Sequence, residues 1–221
     1  MEKNEMMGII AHDLKNPLTT SLSVIGLLNS GKNNEDQSEY LSLLKKSLNR
    51  MNNLISKILE IKVMESSSFK INYTQVDLKQ VTEQVISAFK IQSDHKNIQV
   101  VADLDEVVAN LDRSLMIQII DNLLSNAIKF SNHHTKVHVS LKNVNQTIRF
   151  EFADEGPGIK EEDIPALFQK FQKLHAQPTG GESSTGLGLS IVKKYVEAME
   201  GKVWCESEFG KGARFIVEFQ K

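Results

Sequence analysis

The period of the apolar positions changes near residue 65. Before it, Met7, Ile10, Ala11, Leu14, Leu18, Ser21, Leu22, Ile25 and Leu28 recur at intervals of three and four. A second row, Leu41, Leu44, Leu48, Met51, Ile55 and Ile58, does the same and is widened by Leu54 and Ile61. Both rows predict amphipathic helices with heptad-like seams. The cluster Asn29-Ser30-Gly31-Lys32-Asn33-Asn34 between them is turn chemistry, so the helices should fold into an antiparallel hairpin. Two helices alone leave such wide stripes in water. A second copy completing a four-helix bundle covers them, and a homodimer is the expectation; the alternative is a hairpin packed on the rest of its own chain.

Glu65-Ser66-Ser67-Ser68 closes the second row and marks a boundary, with a hairpin over residues 1–66 and a second domain over 67–221. Val76 to Phe89 reads as a helix with Asp77 as its N-cap, and Ser114 to Phe130 as another. Ile98–Ala102 and Val107–Leu111 read as strands. Lys136–Leu141 and Thr147–Phe152 alternate apolar with polar residues, as half-buried antiparallel strands do. A Gly/Ser-rich stretch, Pro178–Thr185, precedes a helix over Leu187–Met199 with Gly201 as its C-terminal cap; strands over Lys202–Glu206 and Ala213–Phe219 follow. Helices and strands mixed without strict alternation predict an α/β sandwich, an antiparallel-rich sheet with helices on one face.

Charge alters this picture little. With 26 basic and 28 acidic residues the formal net charge is -2, which gives no support to a nucleic-acid surface. The single cysteine, Cys205, excludes an intrachain disulfide and suits a reducing compartment. No apolar run is long enough to span a bilayer and no signal-peptide pattern opens the sequence, so a cytoplasmic chain without membrane contact is expected.

Candidate chemistry lies in both halves. In Ala11-His12-Asp13-Leu14-Lys15-Asn16-Pro17-Leu18 the helical pattern sends Ala11 and Leu14 inward and His12 to the flank, with one imidazole nitrogen accessible. The adjacent Asp13 would hold the other nitrogen and stabilise positive charge on the ring as it attacks. Pro17 removes a backbone hydrogen bond and predicts a kink or loosening near Asp13.

In the second half, Asp154-Glu155-Gly156-Pro157-Gly158-Ile159 follows a strand. A carboxylate there only accepts hydrogen bonds, which suits an exocyclic amine such as that of adenine, and the glycines let backbone pass close to a planar ring. An ordinary turn has the same composition. Thr185-Gly186-Leu187-Gly188-Leu189 opens a helix whose first N–H groups favour phosphate. Asn122, Asn126 and Lys129, spaced four and three, share the helix face opposite the apolar one. They would bring an amide oxygen for magnesium and an ammonium to a polyphosphate; a solvated polar face is the bland alternative. Gly210-Lys211-Gly212 reads by itself as a hairpin turn. His133, His134 and His138 lack the rest of a metal-ligand set and are read as structural.

As an ordered set these segments resemble the N, G1, G2 and G3 boxes of the Bergerat-type ATP-binding fold: Asn122–Phe130, Asp154–Ile159, Thr185–Leu189 and Gly210–Gly212. Leu167-Phe168-Gln169-Lys170-Phe171 resembles the F box between them. With the His12 segment, nearly the whole chain resembles a bacterial sensor histidine kinase core. The resemblance implies ATP and Mg2+ as cofactors, with Asn126 on the metal and Asn122 and Lys129 at the phosphates. Phe130 would lie beside the base, Asp154 would read adenine, Gly156, Gly158 and Ile159 would shape the pocket, and Thr185, Gly186, Leu187, Gly188 and Leu189 would close over the phosphates. It implies His12 as phosphoacceptor, Asp13 as its acid/base partner and Asn16 as a phosphatase residue acting on the partner, a response-regulator receiver domain. A nucleotide-responsive dimeric scaffold without phosphotransfer is the alternative. Two positions depart from the family pattern. Lys173 stands where many members carry arginine, a point charge in place of a bidentate fork. Ala213-Arg214 replaces the usual small hydroxyl residue, and both departures predict altered rate or affinity. The proximity of His12 to Met1 suggests the trimmed core of a longer protein, whose upstream segments would carry the input and any membrane anchor.

Overall fold

The computed structural model describes residues 3–29, 37–64, 66, 69–172, 175–180 and 186–221. The chain divides into two compact units, Met1–Phe69 and Lys70–Lys221.

The first unit contains helices α1 (Lys3–Asn29) and α2 (Gln37–Met64), packed on each other. Most of the turn cluster lies outside the described residues. On α1 the buried row is Asp13, Pro17, Ser21 and Val24; on α2 it is Ser47, Leu54 and Ile61, each seven residues from the next. Within the single chain Ala11 is exposed and Leu14 half-buried, so the apolar row read from the sequence is not the row that faces α2. The physical reason is that a hairpin offers α1 only one neighbour. A narrow row faces α2, while the more apolar row Leu18, Leu22 and Ile25, with Leu48, Ile55 and Leu59 on α2, is exposed within the single chain. Helix α1 also runs unbroken through Pro17. Proline supplies no N–H to the helical ladder at this position. The Ser47 hydroxyl donates to the Pro17 carbonyl at 2.7 Å and ties the two helices at that level.

The second unit opens with β1 (Thr74–Asp77), α3 (Leu78–Ala88), α4 (Lys90–His95), β2 (Gln99–Leu104) and β3 (Val108–Leu111). Next come α5 (Arg113–Phe130), β4 (Lys136–Val144), β5 (Thr147–Asp154), a 3-10 turn over Glu161–Ala166, α6 (Gly188–Ala198), β6 (Lys202–Ser207) and β7 (Ala213–Gln220). Asp77 caps α3 by accepting from the Gln80 N–H at 2.9 Å, so the predicted helix begins two residues later than its apolar pattern, after a short strand. Five strands form a mixed sheet in the order β2-β4-β5-β7-β6, with β2 and β4 parallel and every other pair antiparallel. Strands β1 and β3 pair separately.

Alternation places Val137, Val139 and Leu141 of β4 and Ile148, Phe150 and Phe152 of β5 on one buried face. Helices α5 and α6 pack on this sheet and on each other, and α3 packs on α5. The buried residues of α5, from Leu115 to Ile128, form the core facing that layer. Asp112 caps α5 through Oδ1, which accepts from the N–H groups of Ser114 and Leu115.

The end of α6 departs from expectation. Glu200, with φ +59°, takes the left-handed position. Its N–H donates to Glu197 O at 3.0 Å, and the Gly201 N–H donates to Val196 O at 2.8 Å. This is the paired-bond termination in which Gly normally occupies the position held here by Glu200. Gly201 answers a different demand: a Cβ there would sit 2.7 Å from Glu218 O and from the Phe219 ring. Among the described residues no helix is long and apolar enough to cross a membrane.

Candidate active site

In the hairpin, His12 and Asp13 are sequence neighbours on opposite sides of the packing surface. The His12 side chain is 69% exposed and that of Asp13 is 7% exposed. His12 Nδ1 lies 3.2 Å from Asp13 Oδ1. The carboxylate thus engages the nitrogen nearer the backbone, and Nε2 is the ring atom directed away from that contact. Asn16, one turn along, is exposed on the same side as His12. Its backbone carbonyl accepts from Thr20 Oγ1 at 3.1 Å.

In the second unit the site gathers around the end of β5. The alternation that buries Ile148, Phe150 and Phe152 carries Asp154 to the same helix-covered face, where it is only 8% exposed. Oδ1 accepts from the Gly156 N–H at 2.9 Å and from the Ala213 N–H at 3.2 Å. Burial pushes the carboxyl up to about 6, with the Gly156 and Ala213 bonds acting in the opposite direction. Both of these bonds fall on one oxygen, so Oδ2 is the acceptor this carboxylate can present to a ligand amine.

The turn after Asp154 admits only glycine at two positions. A Cβ on Gly156 would meet Phe130 O at 2.5 Å and Asp154 Oδ1 at 2.8 Å. Gly158 has φ +68° and lies against the Glu208 carbonyl. Ser207 joins this turn to the β6–β7 connection: its hydroxyl accepts from the Ile159 N–H at 2.9 Å and donates to Gly212 O at 2.7 Å. A lone serine at a strand end carries no sequence signal for such a bridge. Ala213 reaches Asp154 through its backbone N–H, a bond indifferent to the side chain, and exposed Arg214 lies 3.9 Å from Glu206.

Helix α5 supplies the opposite wall. Asn122, Asn126, Lys129 and Phe130 are half-buried, whereas Leu123, Leu124, Ala127 and Ile128 between them are fully buried. The polar row therefore lines the edge of the core. Asn122 Nδ2 donates to Gln118 O at 2.8 Å, and Tyr195 of α6 donates to Gln118 Oε1 at 3.1 Å. Gln118 and Tyr195 are supporting residues outside the motifs.

Helix α6 starts at Gly188 with fully buried Leu187 as its N-cap residue, which supplies no side-chain hydrogen bond. Its first N–H groups, like those of any helix, have no intrahelical acceptor, an arrangement that favours an anion. Gly186, at φ +66°, accepts through its carbonyl from the Phe171 N–H at 2.8 Å, and a Cβ there would meet Gln172 O at 2.6 Å. Phe171 itself is held at φ +60°, sparsely populated for an aromatic residue. Leu189 is half-buried, whereas Lys173 and Thr185 lie outside the described residues. No group of three or more His, Cys, Asp or Glu residues with metal-binding spacing occurs among the described residues.

Residues 2–67 match the family model of the His Kinase A (phospho-acceptor) domain. Residues 111–221 match that of the histidine kinase-, DNA gyrase B- and HSP90-like ATPases. The chain belongs to the sensor histidine kinases. Similar curated proteins include the sensor protein kinase WalK of Staphylococcus aureus, 28% identical over 222 residues, covering 98% of this chain and 53% of that protein. WalK of Staphylococcus saprophyticus is 27% identical over 220 residues, covering 98% and 36%. The chain thus spans about a third to a half of the length of these relatives. The Acinetobacter baumannii histidine kinase AdeS superimposes with a TM-score of 0.77 at 27% identity, covering 95% of this chain and 97% of that one. Histidine kinase ThkA, solved with the response regulator TrrA, gives 0.79 at 25% identity over 98% and 61%. Full-length ShkA with AMPPNP gives 0.70 at 25% identity over 97% and 45%. Within this family the two units of the kinase core are the phosphoacceptor hairpin and the ATPase-type sandwich.

Proposed function

We propose that this chain is the catalytic core of a two-component sensor kinase, which phosphorylates its own His12 from ATP and passes the phosphoryl group to an aspartate of a response-regulator receiver domain. The observation that carries this reading is the His12–Asp13 contact: the ring is exposed while a nearly buried carboxylate engages Nδ1. Nε2 then attacks the γ-phosphorus, the bond from γ-phosphorus to the β,γ-bridging oxygen breaks, and ADP departs. Asp13 compensates the positive charge that develops on the ring. Catalysis by positioning and charge neutralisation suffices for phosphoryl transfer.

The residues of the second unit fit Mg-ATP. Asp154 Oδ2 accepts from the adenine amine, and the Gly156 position, with no room for a Cβ, lets backbone line the base. Phe130 forms a side of that pocket, with Gly158 and Ile159 shaping its turn. Asn122 and Lys129 attend the phosphates, and the start of α6 at Gly186–Leu189 offers N–H groups to them. Asn126 would hold Mg2+ through its amide oxygen, where the ion neutralises polyphosphate charge. Lys173 and Thr185 are assigned to the phosphate end from the motif pattern. Asn16, on the His12 side of α1, is assigned to phosphatase action on the regulator. The chain works as a homodimer in the cytoplasm.

Incubation with γ-labelled ATP tests the reading. Label should appear on the protein, be acid-labile, and be absent in His12→Gln. Stable ATP binding with no labelled protein would overturn the kinase and leave a nucleotide-responsive scaffold.

A further inference from the structure

Lys96 is only 4% exposed, and no other lysine is buried among the described residues. It follows α4, and its ammonium reaches across to the end of α5, where Nζ donates to Ile128 O at 2.9 Å and to Lys129 O at 2.9 Å. These carbonyls belong to the last turn of the helix, which has no N–H groups ahead of it to satisfy them. A cation here also complements the negative end of the helix dipole.

The Lys129 carbonyl has a second donor. The Thr179 N–H donates to it at 3.0 Å; the Thr179 hydroxyl, with a single hydrogen, donates to the nearer Ser131 O and lies 3.3 Å from the Lys129 carbonyl. One carbonyl therefore joins three parts of the chain: the turn after α4, the end of α5, and the segment 175–180. The next residue, Phe130, turns its own carbonyl toward Gly156, where a Cβ would meet it at 2.5 Å. Any shift of the last turn of α5 is thus passed to the wall beside Asp154.

We infer that Lys96 is a positioning residue of the nucleotide site: with Thr179 it clamps the Lys129 carbonyl and sets where Lys129, Phe130 and the Gly156 turn stand around ATP. This rests on the assignment of that site to ATP. Lys96 touches no nucleotide in this scheme. It acts through backbone it holds in place, as Thr179 does from the other side.

The test is a double-mutant cycle on ATP dissociation constants, using Lys96→Met, Thr179→Val and the double variant of the whole chain, below the unfolding transition of each. Methionine keeps the apolar stem and removes the donors, so each single change should weaken ATP by about threefold to tenfold. Thr179→Val removes the hydroxyl and leaves the N–H bond, but both variants loosen the same end of α5, so the double variant should be weakened about as much as the worse single, not by the product of the two. A Lys96→Met chain with a lower Tm but an ATP Kd within about twofold of the parent would show a purely structural cap and overturn the inference. Multiplicative effects would overturn it as well. If Lys96→Met does not fold, Lys96→Gln, whose shorter stem cannot reach both carbonyls, is read in its place, and an ATP Kd within about twofold of the parent there removes the clamp. Failure of the parent chain to bind ATP would instead overturn the site assignment itself.

Discussion

The Asp154 carboxylate accepts a hydrogen bond from the backbone N–H of Ala213, 59 residues further along the chain, at 3.2 Å. This contact brings the end of β5 and the start of β7 together around a single buried acid. It also explains how an alanine can stand where the family pattern has a hydroxyl residue without losing that bond.

Burial holds the Asp154 carboxyl at about 6, against an ordinary value of 3.8. A raised acid binds its proton more tightly folded than unfolded, so folding stability falls as pH rises from about 4 to 6, by on the order of 3 kcal/mol. Only the ionised form is a pure acceptor for an amine, so ATP affinity should rise through the same window. Titrating the ATP Kd from pH 5 to 8 should show an inflection near 6 that Asp154→Asn abolishes while weakening binding about tenfold or more. A flat profile in the parent chain would remove Asp154 as the base-reading group.

Gly210 and Gly212 both sit at φ near +90°, yet they should differ under substitution. A Cβ at Gly210 meets nothing, so Gly210→Ala carries only the backbone cost, about 1 kcal/mol. At Gly212 a Cβ would press into the Asp154 carbonyl, so Gly212→Ala should cost about 3 kcal/mol or more and weaken ATP binding. Denaturant midpoints compare the two directly, and equal values would contradict the packing argument.

At the end of α6, Glu200→Gly should stabilise the chain by up to about 1 kcal/mol, because glycine suits the left-handed position that Glu200 occupies. Gly201→Ala should destabilise by about 1–3 kcal/mol through its clash with Glu218 and Phe219. The order of the two thermal midpoints, one above and one below the parent, is the readout.

On the hairpin, Leu22 is 61% exposed and Ile55 is 46% exposed, within a continuous apolar row. Burial of that row by a second copy predicts that Leu22→Glu shifts the chain from dimer to monomer in sedimentation analysis. The unfolding of the second unit should be unaltered. A dimer of undiminished strength would place the interface elsewhere.

The sequence announced its chemistry more clearly than its packing. The motifs around Asn126, Asp154, Gly156 and Gly186 were legible because glycine, carboxylate and amide at fixed offsets have few other uses together. The row of α1 that faces α2 was not. Apolar periodicity marks a stripe without saying which part faces the neighbouring helix, and the row chosen was Asp13–Pro17–Ser21–Val24, more polar than the stripe itself. At the end of α6, composition pointed to Gly201 as the left-handed residue. The position fell instead to Glu200, because Gly201 was needed where Phe219 passes.

By itself, then, the sequence determined the types of the longer elements, though not the short β1 or α4, together with the order of the boxes and the residue types available for phosphoryl transfer. These are local properties, set by side-chain period and by the few residues that tolerate a turn or a close approach. Tertiary structure alone decided that Ser207 bridges the turn after β5 to the β6–β7 connection, that Gln118 and Tyr195 stand behind Asn122, and that a buried Lys96 closes α5. Those contacts join residues distant in sequence. A hydrogen-bond donor carries no mark of its acceptor until the chain has brought the two together.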